Sequence, residues 1–204
     1  MVTVVGIGPG HPDHITPAAV KRINEADIII GATRVLAAID TRDKRVVDIS
    51  AGLDGAVRAI EENRKENVVV VVSGDPGFYS MLKTIRDRLP GLHPDVVPGI
   101  SSIQLLFARI GRQWQDVALT SAHGRTLADL DKTIERHGRI CVLTDNIHTA
   151  PAIARHLTLR GIDGRAVAGE NLSYEDEKIV DTTLAELSKL EGFSSSVLYI
   201  EIDS

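Results

Sequence analysis

Short apolar runs rich in valine and isoleucine alternate with longer segments of helical periodicity through the first half of the chain. The runs show no alternation of apolar and polar residues, which is typical of parallel strands that are buried on both faces. The predicted strands lie near 2–5, 28–30, 46–49, 68–72 and 96–97. The predicted helices lie near 16–26, 33–39, 53–65, 78–89 and 102–109. This pattern predicts an α/β fold with a mostly parallel sheet covered by helices.

The polar segment 111–116 interrupts this rhythm, and a second set of elements follows it. The predicted strands of that set lie near 117–120, 139–144, 165–169, 178–182 and 196–202, and the helices near 126–137, 149–160 and 183–190. Because consecutive strands late in the chain need not be parallel, we expect a mixed sheet here. The predicted domains are an N-terminal α/β domain, residues 1–111, and a C-terminal α/β domain, residues 112–204.

Composition is typical of a globular enzyme and argues against a nucleic acid partner. The 204 residues are 43% hydrophobic, which is ample for buried sheets. The net charge is −5, and 3% of the residues are aromatic. Phosphate contact needs clustered cations and base stacking needs rings, so this balance favours neither.

Membrane and metal sites are not expected either. No run approaches the roughly 20 apolar residues of a membrane span, and the N-terminus leads directly into a strand pattern, so we expect a cytoplasmic protein. The single cysteine, Cys141, lies in an apolar run and excludes a disulfide within the chain. His11 and His14 lie three residues apart, but the sequence suggests no further ligands, so we expect no metal.

Three glycine- or serine-bearing turns each follow an apolar strand run and carry the strongest functional signal. They are Gly6-Ile7-Gly8-Pro9-Gly10, Gly74-Asp75-Pro76-Gly77 and Pro98-Gly99-Ile100-Ser101-Ser102. In open α/β sheets, ligands bind outside the carboxyl ends of the strands, where glycine lets the backbone approach them. The turns together predict one ligand crevice.

Each turn also has an alternative interpretation, and the first could be a purely structural glycine turn. The first resembles a dinucleotide fingerprint, but His11 takes the third glycine position and no acidic residue closes the second strand, which disfavours a nicotinamide or flavin site. Asp75 could cap a helix beginning near Pro76, with or without contacting a ligand. Ser101 or Ser102 could equally serve as the cap of the following helix.

A fourth segment, Ser121-Ala122-His123-Gly124-Arg125, follows a predicted strand and offers cationic side chains. Arginine can bind a carboxylate through two hydrogen bonds, and histidine can donate or shuttle a proton. We therefore select His123 and Arg125 as candidate contacts for an acidic substrate. The alternative is a solvated loop that caps the next helix.

These motifs occur in the order found in the tetrapyrrole methylases, which use S-adenosylmethionine in cobalamin and siroheme synthesis. The chain resembles that family through GxGPG at 6–10, GDP at 74–76, PGxSS at 98–102, the segment 121–125 and Glu170-Asn171-Leu172. The resemblance extends over essentially the whole chain. Within the family, the chain is most similar to the branch that methylates carbon 5 of cobalt-precorrin-7, in anaerobic-type corrin synthesis.

The resemblance implies a two-domain fold with the active cleft between the domains and S-adenosyl-L-methionine as the cofactor. Carried over position by position, donor contacts fall at Pro9, Gly74, Asp75, Phe78, Ser101, Ser102, Thr144 and Leu172. It further implies a tetrapyrrole substrate, a homodimer and a separate C15-methylating decarboxylase in the same pathway. No catalytic acid or base is assigned.

Two departures from the branch pattern affect regions near these motifs. Ser173 stands where glycine commonly follows Asn-Leu, and Asp13-His14-Ile15-Thr16 replaces a more apolar approach to the threonine. Neither removes a donor position.

Several alternative functions stay open at this point. Another precorrin carbon or uroporphyrinogen would share the donor motifs and differ in the substrate loops, whereas a relative acting on rRNA or on a protein histidine should be more basic or more open. From other classes, a nucleotide-binding oxidoreductase would bind NAD, and a ligand sensor would bind the donor without turnover.

Overall fold

The structure is a computed structural model that describes residues 1–50 and 52–202. The chain forms two compact units, one on each side of the Ser102–Ile103 bond. The expected domains, 1–111 and 112–204, have their boundary later in the chain, and that division remains a prediction.

The first unit contains a five-stranded sheet in the order β3-β2-β4-β1-β5, in which every neighbouring pair is parallel. Its strands are β1 (Val2–Gly6), β2 (Ile28–Gly31), β3 (Arg45–Asp48), β4 (Val68–Val72) and β5 (Asp95–Val97). Its helices are α1 (Pro17–Asn24), α2 (Thr33–Leu36), α3 (Leu53–Glu62) and α4 (Met81–Arg88), with a 3-10 turn at Pro12–His14. The parallel sheet predicted from the buried runs is confirmed.

Burial on both faces explains why the central strands β1, β2 and β4 lack polar alternation, whereas the edge strands β3 and β5, also predicted as buried runs, are largely exposed. Val4 and Val70 pack on one face, in the cluster that includes Ile60 of α3. Val5 and Val69 pack on the other face, in the cluster that includes the α1 side chains. Every residue of β1 and β4 is therefore buried.

The order of the strands also predicts where this unit binds a ligand. The chain leaves β1 toward β2 on one side, and it leaves the neighbouring β4 toward β5 on the other. Connections that leave adjacent strands in opposite directions open a crevice outside their carboxyl ends. The turns after β1, β4 and β5 lie at that edge.

The second unit contains a mixed sheet in the order β6-β7-β10-β8-β9, as expected from the sequence. Its strands are β6 (Ala118–Ser121), β7 (Arg139–Leu143), β8 (Gly164–Glu170), β9 (Lys178–Thr183) and β10 (Ser196–Ile202). Its helices are α6 (Leu127–His137), α7 (Ala150–Leu159) and α8 (Leu184–Leu187), preceded by α5 (Ser102–Arg109), which begins at the last residue of the first unit. Only β6 and β7 are parallel neighbours, and β10 is antiparallel to both β7 and β8.

Helices cover both faces of the second sheet. Ile134 of α6 and Ile153 of α7 belong to the main core cluster, with Leu198 of β10. On the opposite face, the ring of Phe107 in α5 lies edge-on to that of Tyr199, with centroids 5.2 Å apart. Among the residues that the structure describes, no helix combines the length and the apolar character needed to cross a membrane.

Candidate functional site

The three turns singled out from the sequence meet at one edge of the first sheet. They follow β4, β1 and β5, which are adjacent in that order. The backbone N–H of Gly74 donates to the carbonyl oxygen of Gly8 at 2.8 Å, so the first and second turns are joined directly. The structure therefore confirms that the turns form one cluster.

Two glycines, Gly6 and Gly99, let these backbones approach closely. A Cβ built on Gly6 would lie 2.5 Å from the Gly74 carbonyl oxygen and 2.7 Å from the Gly99 nitrogen. A Cβ built on Gly99 would lie 2.2 Å from the same oxygen. No side chain fits at either position, so the main chain lines the centre of the cluster.

Asp75 fastens this cluster instead of capping a helix, so that part of the sequence interpretation was wrong. Its Oδ1 accepts from the Gly77 N–H at 2.8 Å, and its Oδ2 accepts from the Gly99 N–H at 3.2 Å. Helix α4 begins only at Met81, because Tyr79 has a φ of 47° that interrupts a right-handed helix. Asp75 thus links the second turn to the third.

The other predicted donor residues of the first unit lie on the same turns. Pro9 is buried, directly after Gly8, whose φ is 81°. Phe78 is half-buried, and its ring lies edge-on to Tyr79 with centroids 4.7 Å apart. The Cα of Ser101 lies 3.8 Å from the position of a Cβ on Gly74.

Helix α5 begins at Ser102, directly after Ser101, as the third turn predicted. Both serines are half-buried at the start of the helix. The cluster therefore brings Gly74, Asp75 and Ser101 together.

Thr144 is predicted to contact the donor, but its side chain is already used within the second unit. Its Oγ1 accepts from the Ser196 N–H at 2.7 Å and lies 3.0 Å from the Ser196 carbonyl oxygen, to which it donates. The residue is 8% exposed and ties the end of β7 to the start of β10. The Thr144 N–H also donates to the Ser196 carbonyl oxygen, at 2.9 Å, so both its hydroxyl and its N–H are engaged within the second unit.

Leu172 lies in a loop held by neighbouring side chains. Its own side chain is buried and packs on Gly169. A Cβ built on Gly169 would lie 3.0 Å from the leucine Cδ2. Asn171 and Ser173 have φ values of 49° and 77°, in the left-handed region. Position 173 therefore requires a left-handed backbone, which suits the glycine of the family pattern and which Ser173 adopts under strain.

Arg125 and His123 lie in the loop between β6 and α6, and Arg125 lines a small pocket there. The arginine Nη1 donates to the Thr120 Oγ1 at 3.3 Å. His123 is exposed and does not line the pocket. The lining residues are Thr120, Ser121, Ala122, Arg125, Thr126, Leu127, Asp129, Leu130 and His148.

The sequence interpretation missed His148, which reaches this pocket from the loop after β7. Asp145 begins that loop, and its Oδ1 accepts from the N–H groups of Ile147 at 2.8 Å and His148 at 2.6 Å. The imidazole Nδ1 lies 3.5 Å from the Asp145 Oδ2. An aspartate at a strand end, three residues before a histidine, is the signal that could have found this arrangement.

Asp145 carries its charge in this loop. Its partial burial opposes ionisation, but the hydrogen bonds from His148 and Ile147 outweigh that penalty and hold the pKa of the carboxyl below its usual value. Within residues 1–50 and 52–202, no three histidine, cysteine or acidic side chains gather in a way that could hold a metal ion.

Comparison with known proteins identifies the family. The profile of the tetrapyrrole (corrin/porphyrin) methylases matches residues 1–188. The cobalt-precorrin-7 C(5)-methyltransferase of Salmonella typhimurium is 34% identical over 180 residues, which cover 88% of this chain and 89% of the relative.

Two solved structures share the fold. The precorrin-6Y methylase of Archaeoglobus fulgidus has a TM-score of 0.76 at 24% identity, covering 100% of this chain and 99% of that one. The uroporphyrin-III C-methyltransferase of Thermus thermophilus, solved with S-adenosylhomocysteine, has a TM-score of 0.78 at 23% identity, covering 98% and 96%. With its turn motifs joined at one sheet edge, this chain belongs to the tetrapyrrole methylase family.

Proposed function

We propose that this protein transfers a methyl group from S-adenosylmethionine to carbon 5 of cobalt-precorrin-7. The observation that carries the proposal is the junction of the turns at Gly8, Gly74 and Gly99, which presents main-chain groups at one edge of a parallel sheet. Support for the substrate comes from the Salmonella relative, which carries that activity in its name and is matched over most of both chains.

The donor would be recognised mainly through the backbone. The centre of the turn cluster excludes side chains, and Asp75 is occupied by two backbone N–H groups. The Thr144 side chain is likewise engaged, with Ser196. We therefore expect Pro9, Gly74, Phe78, Ser101, Ser102 and Leu172 to contribute through main-chain groups and shape more than through reactive side chains.

The reaction needs positioning more than it needs a protein nucleophile. An electron-rich ring carbon attacks the sulfonium methyl, the new C–C bond forms, and the C–S bond breaks with its electron pair passing to sulfur. The ring takes over the positive charge and loses it by releasing a proton to solvent. Holding carbon, methyl and sulfur in line can supply about 7–11 kcal/mol toward the barrier. Rigid, backbone-built turns suit that task.

The substrate carries carboxylates around its ring, and Arg125 offers a charged hydrogen-bond donor to one of them. Arg125 is an exposed residue that lines the pocket in the second unit, and its Nη1 donates to the Thr120 Oγ1. A hydrogen bond to a charged group is worth about 1.5–3 kcal/mol, so Arg125→Ala should weaken tetrapyrrole binding by about 10- to 140-fold. His123 stays a second candidate contact in the same loop.

A matched control uses the other end of the following helix. Arg136 is also exposed but lies in the last turn of α6, whereas Arg125 precedes the first turn. Arg136→Ala should leave the KM for the tetrapyrrole unchanged, and both variants should bind S-adenosylhomocysteine as the wild type does. An equal loss of affinity for the tetrapyrrole and for S-adenosylhomocysteine in Arg125→Ala would instead indicate that the loop supports folding.

The proposed reaction is tested by mass spectrometry after incubation of cobalt-precorrin-7 with the protein and methyl-labelled S-adenosylmethionine. One labelled methyl group per substrate molecule is expected, without release of carbon dioxide, because we assign the C15 methylation and decarboxylation to a separate protein. Release of carbon dioxide would contradict that division. Donor binding without any transfer would contradict the reaction itself. We further propose a homodimer, which sedimentation would test.

A further inference from the structure

The loop after β7 presents an apolar side chain to solvent from a tightly held backbone. Ile147 is 80% exposed, although both its own N–H and that of His148 are bound by the Asp145 carboxylate. The neighbouring Asn146 is held as well, because its Oδ1 accepts from the Ser195 hydroxyl at 3.1 Å. The loop is therefore fixed at both its base and its tip.

This loop lies beside the one that carries Arg125. Strands β6 and β7 are parallel neighbours, so the loops that follow them leave the same edge of the sheet. The N–H of Ala122, at the start of the first loop, donates to the carbonyl oxygen of Leu143 at 2.8 Å. His148, the residue after Ile147, lines the same pocket as Arg125.

A single exposed isoleucine is ordinary on a protein surface and carries nothing by itself. Here its chemistry complements that of its neighbours, since a tetrapyrrole has a broad apolar face and carboxylates around its periphery. A guanidinium and an apolar side chain on adjacent fixed loops match those two features. Asp129 adds a negative charge to the pocket, where its Oδ2 accepts from the Thr126 hydroxyl.

We propose that Ile147 determines substrate specificity by packing on the apolar face of the tetrapyrrole, with Asp145 as the residue that positions it. The inference rests on the proposed function, because it needs a tetrapyrrole as the occupant. Ile147 adds apolar contact that Arg125 cannot supply.

The test compares Ile147→Ser with Leu159→Ser, a matched loss of an exposed apolar side chain. Leu159 is 82% exposed but ends α7, which runs back from the carboxyl edge of β7 toward the opposite edge of the sheet. Because Ile147 gains burial only against substrate, its loss should raise the KM for cobalt-precorrin-7 about tenfold. Leu159→Ser should leave that KM unchanged, and both variants should keep the Tm and the affinity for S-adenosylhomocysteine.

Two substitutions of Asp145 test its positioning role. Asp145→Ala removes the acceptor of both loop N–H groups, so it should raise KM more than it lowers kcat. Asp145→Asn keeps an amide oxygen in the same place and should recover most of the wild-type KM. Equal effects of the alanine and asparagine variants would overturn the positioning role.

Equal KM values for the Ile147 and Leu159 variants would overturn the specificity role, as would a loss of Tm and donor affinity in Ile147→Ser. Direct binding of uroporphyrin III, measured by its absorbance change, separates this inference from the proposed reaction. Binding weakened by Ile147→Ser but without methyl transfer by the wild type would support the inference and contradict the reaction. Failure of the wild type to bind either tetrapyrrole would overturn both.

Discussion

Replacing Gly99 by alanine perturbs the turn cluster with one methyl group. The new Cβ would lie 2.2 Å from the Gly74 carbonyl oxygen and 2.9 Å from the Gly6 Cα, so backbone atoms on two other turns must move. Overpacking costs about 1–3 kcal/mol, and we expect the upper end because no flexible side chain can yield. A loss of about 3 kcal/mol corresponds to a Tm lower by about 6–12 °C for a chain of this length.

The affinity for S-adenosylhomocysteine should fall by more than the loss of folding stability alone would cause. The alanine must push the turns apart by about 1 Å, and a displacement of that size can cost about 100-fold where contacts are geometrically demanding. Titration calorimetry with S-adenosylhomocysteine measures the affinity, and thermal unfolding followed by circular dichroism measures the Tm.

Gly55→Ala provides the matched control for this substitution. Gly55 lies inside α3, with no heavy atom within 4 Å of its built Cβ. The same added methyl should therefore stabilise the protein by about 0.5–1 kcal/mol through helix propensity, with donor affinity unchanged. Wild-type affinity in Gly99→Ala would refute the claim that backbone approach at this edge builds the donor site.

Three further predictions concern the second unit. Ser173→Gly should stabilise the protein by about 0.5–1 kcal/mol in chemical denaturation, because relief of a φ of 77° exceeds the entropy cost of glycine; destabilisation would mean that contacts of the serine side chain outweigh the strain. Cys141 is fully buried, and burial raises the pKa of its thiol. The native protein should therefore resist thiol-specific reagents at mildly alkaline pH and react once it is unfolded. Rapid labelling of the native protein would contradict the burial of this strand. The pKa of Asp145 is depressed in the fold, so the stability it contributes is present above the ordinary aspartate pKa of about 4 and is lost as the pH falls through the folded value. The free energy of unfolding should therefore fall less steeply with acid in Asp145→Asn than in the wild type. Identical profiles would contradict this.

The sequence predicted the parallel sheet well because its central strands β1, β2 and β4 are buried on both faces, which leaves a run such as Val68–Val72 without polar positions. It also predicted that the turns meet, since β4, β1 and β5 all end at one edge. The residues between Asp75 and Met81 were harder to predict. The helix predicted near 78–89 included Tyr79, and the local pattern gave no sign of the positive φ there, which delays the helix to Met81 and leaves Asp75 to bind Gly99.

Long-range pairing explains the remaining differences. The Thr144 hydroxyl is engaged by Ser196, a partner 52 positions away that strand pairing brings beside it. His148 enters the pocket because the Asp145 turn and the neighbouring loop after β6 are fixed together, whereas His123, two residues before Arg125 in the motif, does not line it. Local patterns identify turns and caps, but they do not specify which side chain the tertiary contacts turn inward.

The measurement that tests the central claim most directly is NMR of the product formed from cobalt-precorrin-7 and S-adenosylmethionine carrying a ¹³C methyl group. We predict one new methyl resonance, with couplings that assign it to carbon 5 of the ring. A methyl group at any other carbon would contradict the assigned position while leaving the family intact. Absence of transfer would contradict the proposed activity altogether.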